Sequence, residues 1–165
     1  GGVIRDLILG STPPATFLNP IYAVTALAAS AAAFLPPVQR FLARDHRVFS
    51  LVLFLMDTLG LAIFTVVGIR TAHAVSAPSS LFLLVFVGVV TGVGGGVIRD
   101  LLAQEVPYIF VKHIYACASL VGAMLCAGMW NHVNRVDAMV VGMASVVIIR
   151  VLAAHYHWNL PKAKL

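Results

Sequence analysis

The chain repeats one short motif, and this repeat constrains its fold more than any other feature of the sequence. The first seven residues read GGVIRDL, and the same letters recur at residues 95–101. Downstream, Pro14 is followed by the run Ile-Tyr-Ala at residues 21–23, and Pro107 by the same run at residues 114–116. Such an identical run with a spaced echo is unlikely by chance, so the chain contains two copies of one structural unit.

The composition indicates that both copies lie in a lipid bilayer. Hydrophobic residues make up 61% of the chain, charged residues make up 10%, and the mean hydropathy is +0.98. A soluble domain of this size needs a charged surface that this sequence does not supply. The formal charge of +5 would suggest nucleic acid as the partner of a soluble protein. In a membrane protein we expect no nucleic-acid partner, and the position of the charges matters more.

Apolar stretches recur along the chain at nearly the length of a membrane span, for which a helix needs roughly 20 residues. They lie near residues 20–35, 49–70, 81–103, 114–131 and 136–156. Residues 1–10 are expected to be the end of a further helix, because the matching residues 95–104 end the third stretch. We therefore expect about 45 residues to precede this sequence in the parent protein.

The predicted fold is an all-α membrane protein, an inverted 3+3 transmembrane helix repeat plus a seventh helix, with the first helix and part of the second missing from this sequence. Three spans per unit make the second unit enter the membrane from the opposite side. The predicted divisions are residues 1–35 (remainder of the first repeat), 36–48 (cytoplasmic linker), 49–131 (second repeat) and 132–165 (extra transmembrane helix and cytoplasmic C-terminal tail).

The distribution of basic residues favours this alternation. One predicted side of the membrane carries Arg40, Arg44, Arg47, Arg99, Lys112, Arg150, Lys162 and Lys164. The other side carries only Arg5, Arg70 and Arg135. Because basic loops are retained on the cytoplasmic side, we expect a multi-pass plasma-membrane protein with a cytoplasmic C-terminus.

A glycine cluster, Gly92 and Gly94–Gly96, lies deep in the third apolar stretch, and Gly1 and Gly2 are its visible counterpart in the first copy. Each helical glycine costs about 1 kcal/mol relative to alanine, so the cluster favours a kink or break. Carbonyls freed by a break are hard ligands for a monovalent cation, which makes those of Gly94 and Gly95 a candidate cation site. Close helix packing through small residues is the alternative.

Asp57 is a carboxylate within a predicted span. It shares one predicted helix face with Gly60, Leu61, Phe64, Thr65 and Gly68. An intramembrane carboxylate is costly and is therefore a functional candidate, as an attractor of cations or as a proton-coupled group. A helix cap or a hydrogen-bond partner within the bundle is the alternative. Thr65 and Thr91 are predicted to face a pore, because each shares a helix with a stronger candidate.

An Arg-Asp pair follows each glycine motif, Arg5-Asp6 in the first copy and Arg99-Asp100 in the second. Each pair could form a polar gate at a pore mouth. The location near the membrane edge favours a structural role, in which Arg bridges to a neighbouring helix and Asp caps a helix end. The sequence contains no nucleophile–base arrangement, phosphate loop or zinc spacing, so we expect neither enzymatic activity nor a cofactor.

These motifs resemble the prokaryotic trimeric intracellular cation (TRIC) channel family, whose repeated module is also called a glycine-transporter domain. The resemblance rests on GGGVIRD at residues 94–100, its half-copy at residues 1–6, and the pattern D-x-x-G-L-A-x-F that begins at Asp57. It implies a homotrimer in a prokaryotic inner membrane, with one pore per protomer between two glycine-kinked helices that passes monovalent cations, chiefly K⁺. The kinks would lie at Gly1, Gly2, Gly94, Gly95 and Gly96.

This sequence departs from the animal members of the family in one respect. Animal members carry a Lys-Glu-Val sequence after the second glycine motif, and this chain has no lysine there, so their gating and lipid binding are not carried over. The same inverted repeat could also serve a secondary transporter for a small amino acid such as glycine. The sequence leaves this alternative open.

Overall fold

The computed structural model describes residues 1–39, 46–76, 80–107, 109 and 114–156, and this part of the chain is helical without a strand. The helices are α1 (Gly2–Ile8), α2 (Ala15–Leu18), α3 (Ile21–Phe34), α4 (His46–Val75), α5 (Leu81–Leu102), α6 (Ile114–Met129) and α7 (Arg135–His155). The predicted all-α class is confirmed. Arg40, Arg44, Lys112, Lys162 and Lys164, and with them parts of the predicted linker and tail, lie outside the described residues.

Within the described residues, three helices are long and apolar enough to cross a membrane: α4, α5 and α7. Their most apolar windows have mean hydropathies of 2.2, 2.4 and 2.1. The other two predicted spans correspond to the shorter apolar helices α3 and α6, of 14 and 16 residues. The 30-residue helix α4 is longer than the predicted stretch 49–70 at both ends.

Local sequence explains where α5 begins and ends. The Ser80 hydroxyl caps its first turn by accepting a hydrogen bond from the Leu83 amide at 3.2 Å. Serine is among the preferred residues at this position because its oxygen satisfies a free amide. The helix ends at Leu102, and Gln104 then adopts a φ of 58°, the left-handed conformation that often follows a helix.

Helices α4, α5, α6 and α7 pack into a bundle whose core is apolar with a few hydroxyl groups. The buried face of α4 consists of Thr58, Leu61, Ala62, Thr65, Val66, Gly68, Ile69 and Ala72. The predicted face that Asp57 shares with Leu61, Phe64 and Thr65 is buried only in part. Phe64 is 54% exposed, whereas Ala62 and Val66, which lie off that face, are buried. The bundle buries the edge of the helix that carries its smaller side chains, leaves large apolar side chains such as Met56 and Ile63 exposed, and leaves Asp57 at its margin.

Glycines allow the helices to approach closely. A Cβ at Gly88 would lie 2.8 Å from Cγ1 of Ile69 on α4, and a Cβ at Gly142 would lie 3.1 Å from the carbonyl oxygen of Gly122 on α6. The helix is not broken at the glycine cluster, because α5 is helical from Leu81 through Leu102, and a kink within the helix stays a prediction. Packing through small residues, the alternative considered for the cluster, outweighs the low helix propensity of glycine here.

Candidate ion path

Asp57 is the centre of a polar cluster at the place where four helices meet. Arg150 on α7 donates a hydrogen bond from Nη1 to Oδ2 of Asp57 at 2.7 Å. Arg99 on α5 donates from Nη1 to Oδ1 at 3.2 Å, and the Tyr115 hydroxyl on α6 donates to the same oxygen at 3.4 Å. The carboxylate therefore links α4 to each of the other three helices of the bundle. Both roles considered for Asp57, a bundle partner and a charged group of a path, remain compatible with this position.

Arg150 is the functional candidate that the sequence reasoning missed. It was counted only as a basic residue of the cytoplasmic side, yet it is 4% exposed. Its guanidinium carbon lies 4.5 Å from the ring centroid of Tyr115 and 5.1 Å from that of Phe54. An arginine between two aromatic rings gains cation–π attraction that helps to offset its burial. Its place within the last apolar stretch was the signal that could have identified it.

The Arg99-Asp100 pair forms within α5 and also reaches outside it. Nε and Nη2 of Arg99 lie 2.9 and 2.8 Å from Oδ1 of Asp100, while Nη1 reaches Asp57. The Arg99 side chain is 57% exposed, in contrast to the buried Arg150. Arg99 thus bridges two carboxylates while its side chain remains largely exposed. As predicted, Arg99 and Arg150 lie at the same end of the bundle.

The contacts of the Arg5-Asp6 pair fit the structural role that was considered for it. Nε of Arg5 donates to Oδ1 of Asp6 at 2.7 Å, and Oδ2 of Asp6 accepts a hydrogen bond from the Ala15 amide at 2.9 Å. Asp6 thereby satisfies the first amide of α2, which is the capping role considered for it. Both side chains are largely buried, at 12% and 3% exposed. The two Arg-Asp pairs are therefore alike in sequence but differ in exposure and in reach.

Two cavities meet at the Asp57–Arg99 ion pair. The outer cavity has a volume of about 470 Å³ and is lined by Ser50, Leu53, Phe54, Asp57, Arg99, Asp100, Ala103, Glu105, Val106 and Arg150. The inner cavity has a volume of about 260 Å³ and is lined by Leu53, Met56, Asp57, Gly60, Leu61, Phe64, Gly92, Gly95, Gly96, Arg99 and Tyr115. Leu53, Asp57 and Arg99 belong to both linings, so this ion pair lies at the boundary between the cavities.

The glycine cluster lines the inner cavity with its backbone still in a helix. Gly92, Gly95 and Gly96 border the cavity, whereas Gly94 faces away from it, and a Cβ there would lie 3.1 Å from the Cα of Gly1. A Cβ at Gly95 would meet no atom within 4 Å. Because α5 is continuous, the carbonyls of Gly94 and Gly95 are not released by unwinding in this conformation, and the backbone K⁺ site stays a prediction. The cluster instead leaves space beside the helix.

Thr65 and Thr91 do not line either cavity. Thr65 is fully buried, and its hydroxyl contacts the Leu61 carbonyl at 2.7 Å and the Ser119 hydroxyl at 2.8 Å. Thr91 is 2% exposed and donates to the Val87 carbonyl at 2.6 Å. In this conformation both residues lie away from the two cavities, and their facing the pore stays a prediction. Their hydroxyl groups are satisfied within the helix packing, as is common for threonine in helices.

Comparison with known proteins assigns the fold and the family. The family model described as "Glycine transporter" matches residues 1–36 and 54–131. A solved TRIC cation channel structure is 35% identical in sequence, with a TM-score of 0.81, over 99% of this chain and 77% of that channel. The chain belongs to the TRIC channel family. A second TRIC structure, from Rhodobacter sphaeroides, is 29% identical with a TM-score of 0.83, over 95% of this chain and 77% of that one.

This chain is also similar to the UPF0126 inner membrane protein YadS of Escherichia coli. The two are 34% identical over 163 residues, which span 98% of this chain and 75% of the relative. Together with the apolar helices, this match supports a bacterial membrane protein. The structural neighbours are cation channels, and they support the same general activity for this TRIC protein.

Proposed function

We propose that the protein is a channel for monovalent cations, chiefly K⁺, with an ion path through the two cavities that meet at Asp57 and Arg99. The observation that carries this proposal is a carboxylate on a membrane-length helix at the boundary of both cavities. An acidic group in such a position attracts cations and lowers the cost of removing them from water. The family relationship to cation channels supports the same reading.

The charge of the outer cavity favours cations. Its lining contains the carboxylates of Asp57, Asp100 and Glu105, against the guanidinium groups of Arg99 and Arg150. The balance is therefore negative by one charge. A cavity with low-dielectric walls concentrates the potential of its charges, which raises the local concentration of counter-ions.

Arg99 is the group that we propose to move when the path opens. Its hydrogen bond to Asp57 crosses the boundary between the cavities, and it is much more exposed than Arg150. Asp100 offers a second carboxylate at 2.8 Å. Arg99 can therefore leave Asp57 and keep an ionic partner. This second partner lowers the free energy needed to break the Arg99–Asp57 ion pair.

The assembly and the orientation are part of the same proposal. We propose a homotrimer in the bacterial inner membrane, with one path in each protomer, because the Rhodobacter sphaeroides relative is described as a trimeric channel. The outer cavity is proposed to open to the cytoplasm, on the side where the basic residues and the C-terminus are predicted. Accessibility of an engineered C-terminal cysteine to an impermeant reagent in cells tests the orientation.

The decisive experiment is recording from the purified full-length protein in planar lipid bilayers in KCl. We expect discrete unitary currents that reverse near the K⁺ equilibrium potential in a KCl gradient. Saturable glycine uptake into proteoliposomes, without unitary currents, would overturn the channel and favour the carrier. Currents that reverse near the Cl⁻ equilibrium potential would overturn the cation preference.

A further inference from the structure

We infer that Arg150 sets how readily the channel opens, because it competes with Arg99 for the carboxylate of Asp57. The inference rests on the proposed function and assigns a positioning role to a residue of α7 that lies outside both glycine motifs. Arg150 is not part of the repeated motif, and it lies 93 residues after Asp57 in the sequence. Its role follows from where α7 packs.

The two arginines hold Asp57 in different ways. Arg150 contacts Oδ2 at 2.7 Å, and its side chain is 4% exposed. Arg99 contacts Oδ1 at 3.2 Å, and its side chain is 57% exposed. A shorter, more buried charge-assisted hydrogen bond is the stronger of the two. Arg150 is therefore the fixed partner of the carboxylate, and Arg99 is the releasable one.

The surroundings of Arg150 restrict its movement. The rings of Tyr115 and Phe54 flank the guanidinium group at 4.5 and 5.1 Å. Helices α6 and α7 cross at glycines, and a Cβ at Gly142 would lie 3.1 Å from the Gly122 carbonyl oxygen. Because Tyr115 is on α6, this close crossing keeps the ring and the guanidinium group together. The α6–α7 pair therefore presents Arg150 to Asp57 as one unit.

Competition between the arginines follows from elementary electrostatics. Arg150 neutralises the carboxylate to which Arg99 binds, and the two guanidinium groups repel each other across a partly buried site where screening is weak. Both effects weaken the hold of Arg99 on Asp57. Removing the charge of Arg150 leaves the full negative charge of Asp57 to Arg99. The contact between Arg99 and Asp57 then becomes harder to release, and the open probability falls.

The test is single-channel recording of the full-length Arg150→Gln variant. We expect the open probability to fall about fivefold, the scale expected for the coupling of a partly exposed ion pair. Arg150→Lys keeps the charge and is expected to stay within about twofold of the wild type. The control is Arg135→Gln, an exposed arginine at the opposite end of α7, which should leave the open probability unchanged.

A second background separates this role from a structural one. In Arg99→Gln channels there is no competitor, so Arg150→Gln should leave the open probability unchanged; a fall in both backgrounds would mean that Arg150 only supports the fold. If Arg150→Gln does not fold, Phe54→Leu loosens the guanidinium group while it retains every charge, and its effect should again depend on Arg99. If wild-type channels conduct and Arg150→Gln has the wild-type open probability, this inference is overturned and the proposed function is not. Absence of wild-type currents would overturn the proposed function.

Discussion

Arg99 donates a hydrogen bond to Asp57 across 42 residues of sequence, at a distance of 3.2 Å, and this bond lies where two cavities adjoin. One residue belongs to the repeated motif and the other to the helix before it. The contact joins the two features that the sequence marked separately, the Arg-Asp pair and the intramembrane carboxylate.

Replacing Asp57 with asparagine removes the negative charge while it keeps the size of the side chain. We expect the K⁺/Cl⁻ permeability ratio to fall about fivefold, which corresponds to about 1 kcal/mol. Reversal potentials in a KCl gradient measure this ratio. Asp137→Asn is the matched control, because Asp137 is exposed at the start of α7, and its ratio should not change. An unchanged ratio in Asp57→Asn would reduce Asp57 to a scaffold residue.

Replacing Arg99 with glutamine removes the releasable ion pair. We expect the open probability to rise about fivefold, because a partly exposed ion pair contributes up to about 1 kcal/mol. Single-channel dwell times give this quantity directly. Arg70→Gln, an exposed arginine elsewhere on α4, serves as the comparison. Shorter openings in Arg99→Gln would argue that Arg99 supports the open path instead of closing it.

Two glycines of α5 offer a matched pair of substitutions. A Cβ at Gly95 meets open space, so Gly95→Leu should fill the inner cavity and reduce the unitary current while the protein keeps its thermal stability. A Cβ at Gly92 would contact the side chain of Thr65 and lie 3.1 Å from the Leu61 carbonyl oxygen. Gly92→Leu should therefore cost about 1–3 kcal/mol of stability through overpacking. Melting in detergent and bilayer currents would separate the two effects, and a wild-type current in Gly95→Leu would remove the inner cavity from the path.

Thr65 provides a test of the prediction that this residue faces the ion path. Thr65→Val keeps the shape of the side chain but removes the hydroxyl group that contacts Ser119 at 2.8 Å. We expect a stability loss of about 1 kcal/mol, the usual net contribution of a hydrogen bond, and an unchanged unitary current. Thermal melting and conductance are measured on the same preparation. A reduced current at normal stability would return Thr65 to the ion path.

Several features were predictable because they depend on local composition. The all-helical fold follows from long apolar stretches. Asp57 could be selected as a functional candidate because a carboxylate within such a stretch is energetically costly. The capping role of Asp6 belongs to the structural interpretation that the sequence favoured, since short acidic side chains commonly satisfy free amides at helix starts.

Other features depend on contacts between distant segments. The glycine cluster lowers helix propensity locally, but contacts of α5 with α4 and with Gly1 keep the helix continuous. The partnership of Arg150 with Asp57 needs α7 to cross α6 at a particular rotation, which no spacing along the chain reveals. The orientation of α4, with Phe64 outside and Val66 inside, is likewise decided by its neighbours.

The crossing of α6 and α7 restricts which residues are tolerated at positions far from the polar cluster around Asp57. Gly122 and Gly142 never approach Asp57, yet a methyl group on either would push the two helices apart. Their separation would swing the guanidinium group away from its carboxylate at the far end of the helix. A survey of tolerated substitutions should therefore find this apolar spot as restricted as any charged residue, although no ion ever touches it.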